Sequence, residues 1–306
     1  MSEKKYKLIF MGTPEFSLPG FSALLNEPTY EIVGVFTQPD KPVGRKQVLT
    51  ASPVKKLALK NNLKIFQPDK IKTATEIIDN LQPDIIVVIA YGQVIPQAIL
   101  DIPTFGCINV HASLLPKYRG AACLNAPILN NDAETGVTIM KMDAGLDTGP
   151  ILRQAKIKLN GQETLETVHD KLAKAGAKLL SPTLRDFING QLVPQAQDES
   201  QASYIKVLKK EDGKIVWQES ASKIERMIRA YNPWPGTYGE NNGKILKIIE
   251  VSPQILSGNN WPIGTLFLHE GKLAIQCGQG ALLILKLQPA GKKIMTATEF
   301  LNGHKI

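Results

Sequence analysis

Three residues at two points of the chain have the types and spacing for one reaction. Asn109 and His111 stand two positions apart in INVHASLLPKYRG (108–120), where an apolar run gives way to polar side chains. Two positions apart on an extended chain is one face. An Asn amide donates to a developing oxyanion, and an imidazole takes or gives a proton near neutral pH. A third group has to orient that imidazole. DAGLDTGPI (143–151) offers Asp147, with Asp143 as a competing carboxylate, and Gly145 and Gly149 permit a tight bend around it. A carboxylate beside an imidazole fixes the ring and favours its charged form. Together the three suit acyl transfer to an amine without a covalent intermediate. Taken singly, each serves equally well as a cap, a turn residue or a hydrogen-bonded structural group, so only the combination points to chemistry.

The elements that must position them alternate. KLIFM (7–11), IVGVF (32–36), IIVVIA (85–90), CINV (107–110) and VTIMKM (137–142) read as buried strands. Apolar runs without alternation suit a parallel sheet covered on both faces. Helices are expected from Ser52-Pro53 onward, an N-cap followed by Pro at the first helical position, and over Thr73–Leu81 and Glu163–Phe187. The pattern implies a doubly wound, Rossmann-like α/β domain, whose ligands bind beyond the carboxyl ends of the strands.

One connection exceeds the usual strand-to-helix length. TQPDKPVGRKQVLTA (37–51) carries Lys41, Arg45 and Lys46. Such connections commonly take about 2–6 residues, so a long basic loop on the ligand side suggests an element that meets a charged partner. GQLVPQAQDESQAS (190–203) is polar and has no period, which predicts a domain boundary, with a linker over 190–206 between domains at 1–189 and 207–306. Short Gly- and Asn-punctuated segments after it, such as KILKIIEV, GTLFL, KLAIQCG and ALLILKLQ, suggest a small β-barrel or sandwich.

Composition bounds the rest. The 306 residues are 43% hydrophobic and 21% charged, with net charge +8. Residues 207–306 hold 13 Lys+Arg against 8 Asp+Glu, so +5 of the excess lies in the last third, compatible with a polyanionic partner. Cys107, Cys123 and Cys277 lack metal or disulfide spacing, which suggests a reducing compartment. No apolar run is long enough for a signal peptide or a membrane helix, and a cytoplasmic location is expected. GxGxxG, GxSxG and HExxH are missing; GENNGKI (239–245) is one residue short of a phosphate loop and lacks the following Ser/Thr.

INVHASLLPKYRGAA resembles the N-x-H-x-S-L-L-P-x-x-R-G motif of formyltransferases that use 10-formyltetrahydrofolate. DAETGVTIMKMDAGLDTGPIL is similar to their segment carrying the catalytic Asp. FMGTPEF, GVFTQPDKPVGR, VVIAYGQVIP, AYNPWPGTYG and LQPAGKK resemble the branch that acts on initiator methionyl-tRNA, over nearly the whole chain. The resemblance implies Asn109, His111 and Asp147 as catalytic residues. It implies a folate wall of Ser113, Leu114, Leu115 and Pro116, with Ala90, Tyr91, Gly92 and Met140 completing a pterin pocket held largely by backbone groups. It also implies Arg45 in the loop as the main tRNA contact, Lys41, Lys46, Lys292 and Lys293 as phosphate contacts, an OB-like C-terminal domain, no metal, and a monomer. Trp234 reads as packing at a domain boundary. Cys123-Leu124-Asn125 departs from the usual Pro-Ile-Gln after RGAA and leaves a role for that Gln in doubt, though not the trio. The competing readings are a formyltransferase for a sugar-nucleotide amine or a glycinamide ribonucleotide, which should lack the NPWPGTYG, LQPAGKK and basic-loop signatures, and a nucleic-acid-binding protein on an inactive enzyme fold.

Overall fold

The computed structural model describes residues 5–44, 46–241, 243–257 and 261–304. The chain divides into two compact units: one of residues 1–123, 135–157 and 169–205, the other of residues 124–134, 158–168 and 206–306.

The first unit is built on a seven-stranded sheet. Its strands are β1 (Tyr6–Gly12), β2 (Tyr30–Phe36), β5 (Ile65–Phe66), β6 (Ile85–Ile89), β7 (Cys107–His111), β9 (Glu134–Lys141) and β10 (Ile151–Lys158). The order is β10-β9-β7-β6-β1-β2-β5. From β5 to β7 every neighbour is parallel, and β7 pairs β9 antiparallel. The expectation of a wholly parallel sheet therefore fails at VTIMKM. An interior strand buried on both faces carries the same apolar run whichever way it points. One face is closed by Ile9, Met11, Phe36, Ile78, Ile86 and Val88, all at most 5% exposed. Each such side chain contributes about 1.5–3 kcal/mol on burial.

One of the three expected helices starts where predicted, and the other two begin two residues later. α2 (Pro53–Lys60) is capped by Ser52, whose hydroxyl accepts from the Lys55 amide at 3.0 Å. A 3-10 turn over Ile71–Ala74 leads into α3 (Thr75–Leu81), and α6 runs over Leu165–Ile188. α1 (Leu18–Leu25) and strand β10 have no counterpart in the sequence reading. The long basic connection is a hairpin, β3 (Lys41–Val43) and β4 (Val48–Thr50). A two-strand ladder, β8 (Arg119–Gly120) with β11 (Tyr204–Ile205), completes this unit. Residues 190–205, expected as linker, thus belong to its folded body.

The second unit carries an antiparallel sheet of β12 (Thr237–Asn241), β13 (Lys244–Leu256), β14 (Leu266–His269), β15 (Lys272–Gln276) and β16 (Ala281–Pro289), in the order β12-β13-β16-β15-β14, with β17 (Met295–Thr296) also on β16. Helix α7 (Ala221–Tyr231) adds Ile224 and Ile228 to the core formed by Leu246, Ile248, Leu273 and Leu282. Within this unit the unusual Asn125 is buried and donates to the Ala230 carbonyl at 2.6 Å, so the departing triplet supports α7. Trp234, expected to be packed, is 57% exposed.

Candidate active site

Asn109 and His111 end β7 on one face, as their spacing predicts. Asn109 stands between Val88 of β6 and Met140 of β9, and His111 pairs with Thr138. Cross-strand partners share a face, so the buried Met140 lies beside Asn109. The Asn109 amide is half-buried and has no hydrogen-bond partner among the described residues. A donor the fold does not use is free for a ligand. His111 is 6% exposed, and its Nε2 lies 3.0 Å from the Tyr118 carbonyl. A carbonyl only accepts, so Nε2 carries the proton in the neutral ring and Nδ1 is its basic edge. Nδ1 faces Asp147 Oδ2 at 3.6 Å.

Asp147 is held by its own carboxylate, which accepts from the Gly120 amide at 2.8 Å, and it adopts a left-handed backbone, φ 55°. Asp143 accepts instead from Gly145 N and Thr148 Oγ1 at 3.1 and 2.7 Å, which makes it a turn residue and leaves Asp147 as the partner of His111. A side chain on Gly149 would strike the Lys141 carbonyl, so glycine is needed where the loop closes. Ala90 (φ 48°), Tyr118 (φ 61°) and Asp147 are non-glycine residues with left-handed backbones gathered around these strand ends. Such conformations cluster where function requires them. Cys107, two residues before Asn109, is 1% exposed and burial pushes its thiol up to about 12, so it is no nucleophile.

The expected folate wall is fixed from behind. Ser113 is fully buried and its hydroxyl donates to the Lys117 carbonyl at 2.6 Å, so its side chain ties the turn rather than facing outward. Thr138 donates to Ser113 O and accepts from Leu115 N, and Gln154 bonds both Leu115 O and Thr138 Oγ1. Leu114 packs over Gly136, where any side chain would collide with it. Leu115 is buried, and Pro116 is half-buried. Past the end of β6 Ala90 and Gly92 are exposed, whereas the Tyr91 ring is buried in the core. The Tyr91 carbonyl accepts from Thr13 Oγ1 and Gln38 Nε2 at 3.0 and 3.2 Å, so FMGTPEF and GVFTQPD both serve this turn.

The basic residues lie exposed on a hairpin and a turn. Lys41 and Lys46 are exposed on the β3–β4 hairpin, beside exposed Val43, Val48 and Leu49 that sequence reading passed over; Arg45 lies outside the described residues. The hairpin base is anchored by Asp40, which binds Lys55 Nζ at 2.7 Å and Gln67 Nε2 at 2.8 Å; the Lys55 bond holds its carboxyl below the usual range. Lys292 and Lys293 are exposed in the turn between β16 and β17. Among the described residues no three His, Cys, Asp or Glu side chains converge as metal ligands, and no helix is long and apolar enough to cross a membrane.

Comparison with known proteins agrees with this geometry. Residues 6–184 match the formyl transferase family, and residues 207–305 match the formyl transferase C-terminal domain. The methionyl-tRNA formyltransferase of Trichlorobacter lovleyi is 47% identical over 303 residues, 98% of this chain and 95% of that protein. That of Caldanaerobacter subterraneus subsp. tengcongensis is 44% identical, over 98% of this chain and 97% of that protein. The N-formyltransferase from Helicobacter canadensis, solved with folinic acid and dTDP-3-aminofucose, shares the fold at TM-score 0.69 and 22% identity, covering 91% of this chain and 99% of that one. The chain belongs to the methionyl-tRNA formyltransferase family.

Proposed function

We propose that this enzyme transfers the formyl group of 10-formyltetrahydrofolate to the α-amino group of initiator methionyl-tRNA. The observation that carries the reading is the convergence of an unpartnered Asn109 amide, the basic Nδ1 of His111 and the Asp147 carboxylate at one strand end. The donor supplies an activated formyl carbon: a bond forms to the amine nitrogen as the bond to N10 breaks, and one proton passes from amine to N10. Asn109 donates to the oxygen on which charge develops, an interaction worth about 2.7–4 kcal/mol of barrier. His111 takes the proton at Nδ1, because Nε2 already donates to Tyr118. Asp147 then faces an imidazolium and sustains its charge.

A folate fits the chain's own groups. Leu115, Pro116 and Met140 form an apolar wall, and the left-handed turn at Ala90–Gly92 exposes backbone past the end of β6. Ser113 supports that wall rather than lining it. The basic segment with Lys41, Arg45 and Lys46 and the C-terminal domain, residues 207–306 with Lys292 and Lys293, contact the tRNA. The three cysteines are buried and form no disulfide, which fits a reducing cytoplasm, and the enzyme acts there as a monomer. The test is direct: purified protein, 10-formyltetrahydrofolate and charged initiator tRNA should yield N-formylmethionyl-tRNA. Normal folate binding without formylation would overturn the reading.

A further inference from the structure

Asp147 does not reach His111 by sheet geometry. β9 runs antiparallel to β7 and ends with Lys141 opposite Ile108, three residues before His111. Strand rise puts that end about 10 Å back along β7. The loop after it has to return, and it does so through a left-handed, non-glycine Asp147. Such a conformation persists only where its surroundings over-determine it.

The surroundings come from the segment expected to be linker. Gln197 Nε2 donates to the Asp147 carbonyl at 2.8 Å and to the Gly149 carbonyl at 2.7 Å. Its Oε1 accepts from Arg119 Nε and Nη2 at 3.1 and 2.9 Å. Carbonyls only accept and a guanidinium only donates, so the amide has one possible orientation. Arg119 is fully buried. Its remaining N–H groups go to both Glu199 oxygens, at 2.9 and 2.6 Å, and to the Tyr204 hydroxyl at 2.7 Å. All five guanidinium donors are thereby used, and none is left for a folate or a phosphate. The same segment holds the other side of the imidazole. Ser203 Oγ accepts from the Tyr118 amide at 2.9 Å, and Ser203 N donates to Pro116 O at 3.2 Å.

We propose that Gln197, clamped by Arg119, is a positioning residue for formyl transfer: it sets the Asp147 loop against His111 while Ser203 sets the Tyr118 carbonyl. This rests on the catalytic reading of His111 and Asp147 given above.

Gln197→Glu in the full-length enzyme keeps the acceptor for Arg119 and replaces the donors to the two loop carbonyls with a carboxylate that repels them. kcat should fall about tenfold or more, with KM for both substrates within about threefold, because misplacement costs the reacting geometry rather than binding. Nitrogen NMR of the imidazoles supplies a readout that general destabilisation would not move. The chain has four histidines, so comparison with His111→Asn assigns the resonance. Wild type should show the Nε2–H tautomer; Gln197→Glu should keep it, because Tyr118 is untouched, with the Nδ1 resonance displaced as Asp147 moves away, whereas Ser203→Ala should show a mixture of both tautomers. A kcat within about twofold of wild type, with the His111 signals unchanged, overturns the proposal. Should Gln197→Glu fail to fold, Ser203→Ala, which removes one hydroxyl, decides by the same readouts. The spectrum needs no substrate, so a wild-type enzyme that did not formylate tRNA would sink the proposed function and still leave this inference to be read.

Discussion

His111 and Asp147 face each other across 3.6 Å, from Nδ1 to Oδ2, while the same Asp147 oxygen accepts from the Gly120 amide at 2.8 Å. The gap is slightly longer than a hydrogen bond, so Asp147 acts on the imidazole chiefly through its charge. Asp147→Asn keeps an acceptor for Gly120 and loses that charge. We expect kcat to fall by about 10²–10⁴ with a nearly unchanged melting temperature. Steady-state kinetics beside thermal unfolding checks this, and near-normal turnover would remove Asp147 from the mechanism.

Asn109 has no side-chain partner in the fold, so truncation should cost catalysis and spare stability. Asn109→Ala is expected to lower kcat by about 10²–10³. A large loss of stability, from denaturant unfolding, would instead mark the amide as structural.

Thr138 ties the turn that forms the apolar wall, accepting from Leu115 N and donating to Ser113 O. Thr138→Val leaves the buried Leu115 amide without its acceptor, a cost of about 1–3 kcal/mol. The melting temperature should drop by several degrees and KM for the folate should rise more than KM for tRNA. Equal effects on both substrates would count against this turn as the donor wall.

The legible part of the site was local. Asn109 and His111 were readable because strand alternation alone puts them on one face. Asp147 was half readable: its glycine-rich loop was evident, but Asp143 competed until the Gly145 and Thr148 bonds showed it to be a turn residue. The brace was not readable. Gln197, Ser203 and Tyr204 act through partners some 80 residues away, and a polar stretch without period looks like any linker. Arg119 was hidden for a related reason, since arginine is almost never fully buried unless paired and its partners lie in that stretch. The direction of β9 was equally mute, because burial on both faces leaves the same apolar pattern in either orientation. β10, ILRQAKIK, does carry period-two alternation with its polar side exposed, so this strand is legible in the sequence.

The Tyr91 hydroxyl is buried without a partner, and burial pushes its pKa up to about 12. Tyr91→Phe should therefore be neutral or stabilising at neutral pH. The alkaline behaviour follows from linkage. An unfolded tyrosine ionises near 10 while the folded one stays protonated, so the unfolded state binds fewer protons and wild-type stability falls as pH rises from about 10 towards 12. The phenylalanine variant lacks this loss, so its advantage should grow over that window. Urea unfolding of both proteins at about pH 9 and about pH 11 measures it, with the other raised tyrosines and cysteines, Tyr30, Tyr231, Cys107 and Cys277, common to both. A constant difference would mean that the hydroxyl finds solvent or a partner.

The lysines on the hairpin and the turn should act through charge rather than sequence. Phosphate contacts add salt-dependent affinity and position the nucleic acid, but they do not read bases. Lys41 and Lys46 sit exposed on a hairpin whose base is pinned by Asp40, Lys55 and Gln67, so the cations are presented on a braced arm. Lys292 and Lys293 sit exposed in a turn of the unit that carries 13 Lys+Arg against 8 Asp+Glu over residues 207–306. Replacing either pair by Ala should raise KM for initiator tRNA and leave KM for the folate and kcat at saturating tRNA unchanged. Each lost contact should also flatten the dependence of log affinity on log salt by about 0.7–0.9, so a pair changes the slope by about 1.4–1.8. tRNA affinity measured across a salt series reads this directly. Weaker binding with an unchanged slope would show that the substituted lysines support the protein surface and do not touch phosphate.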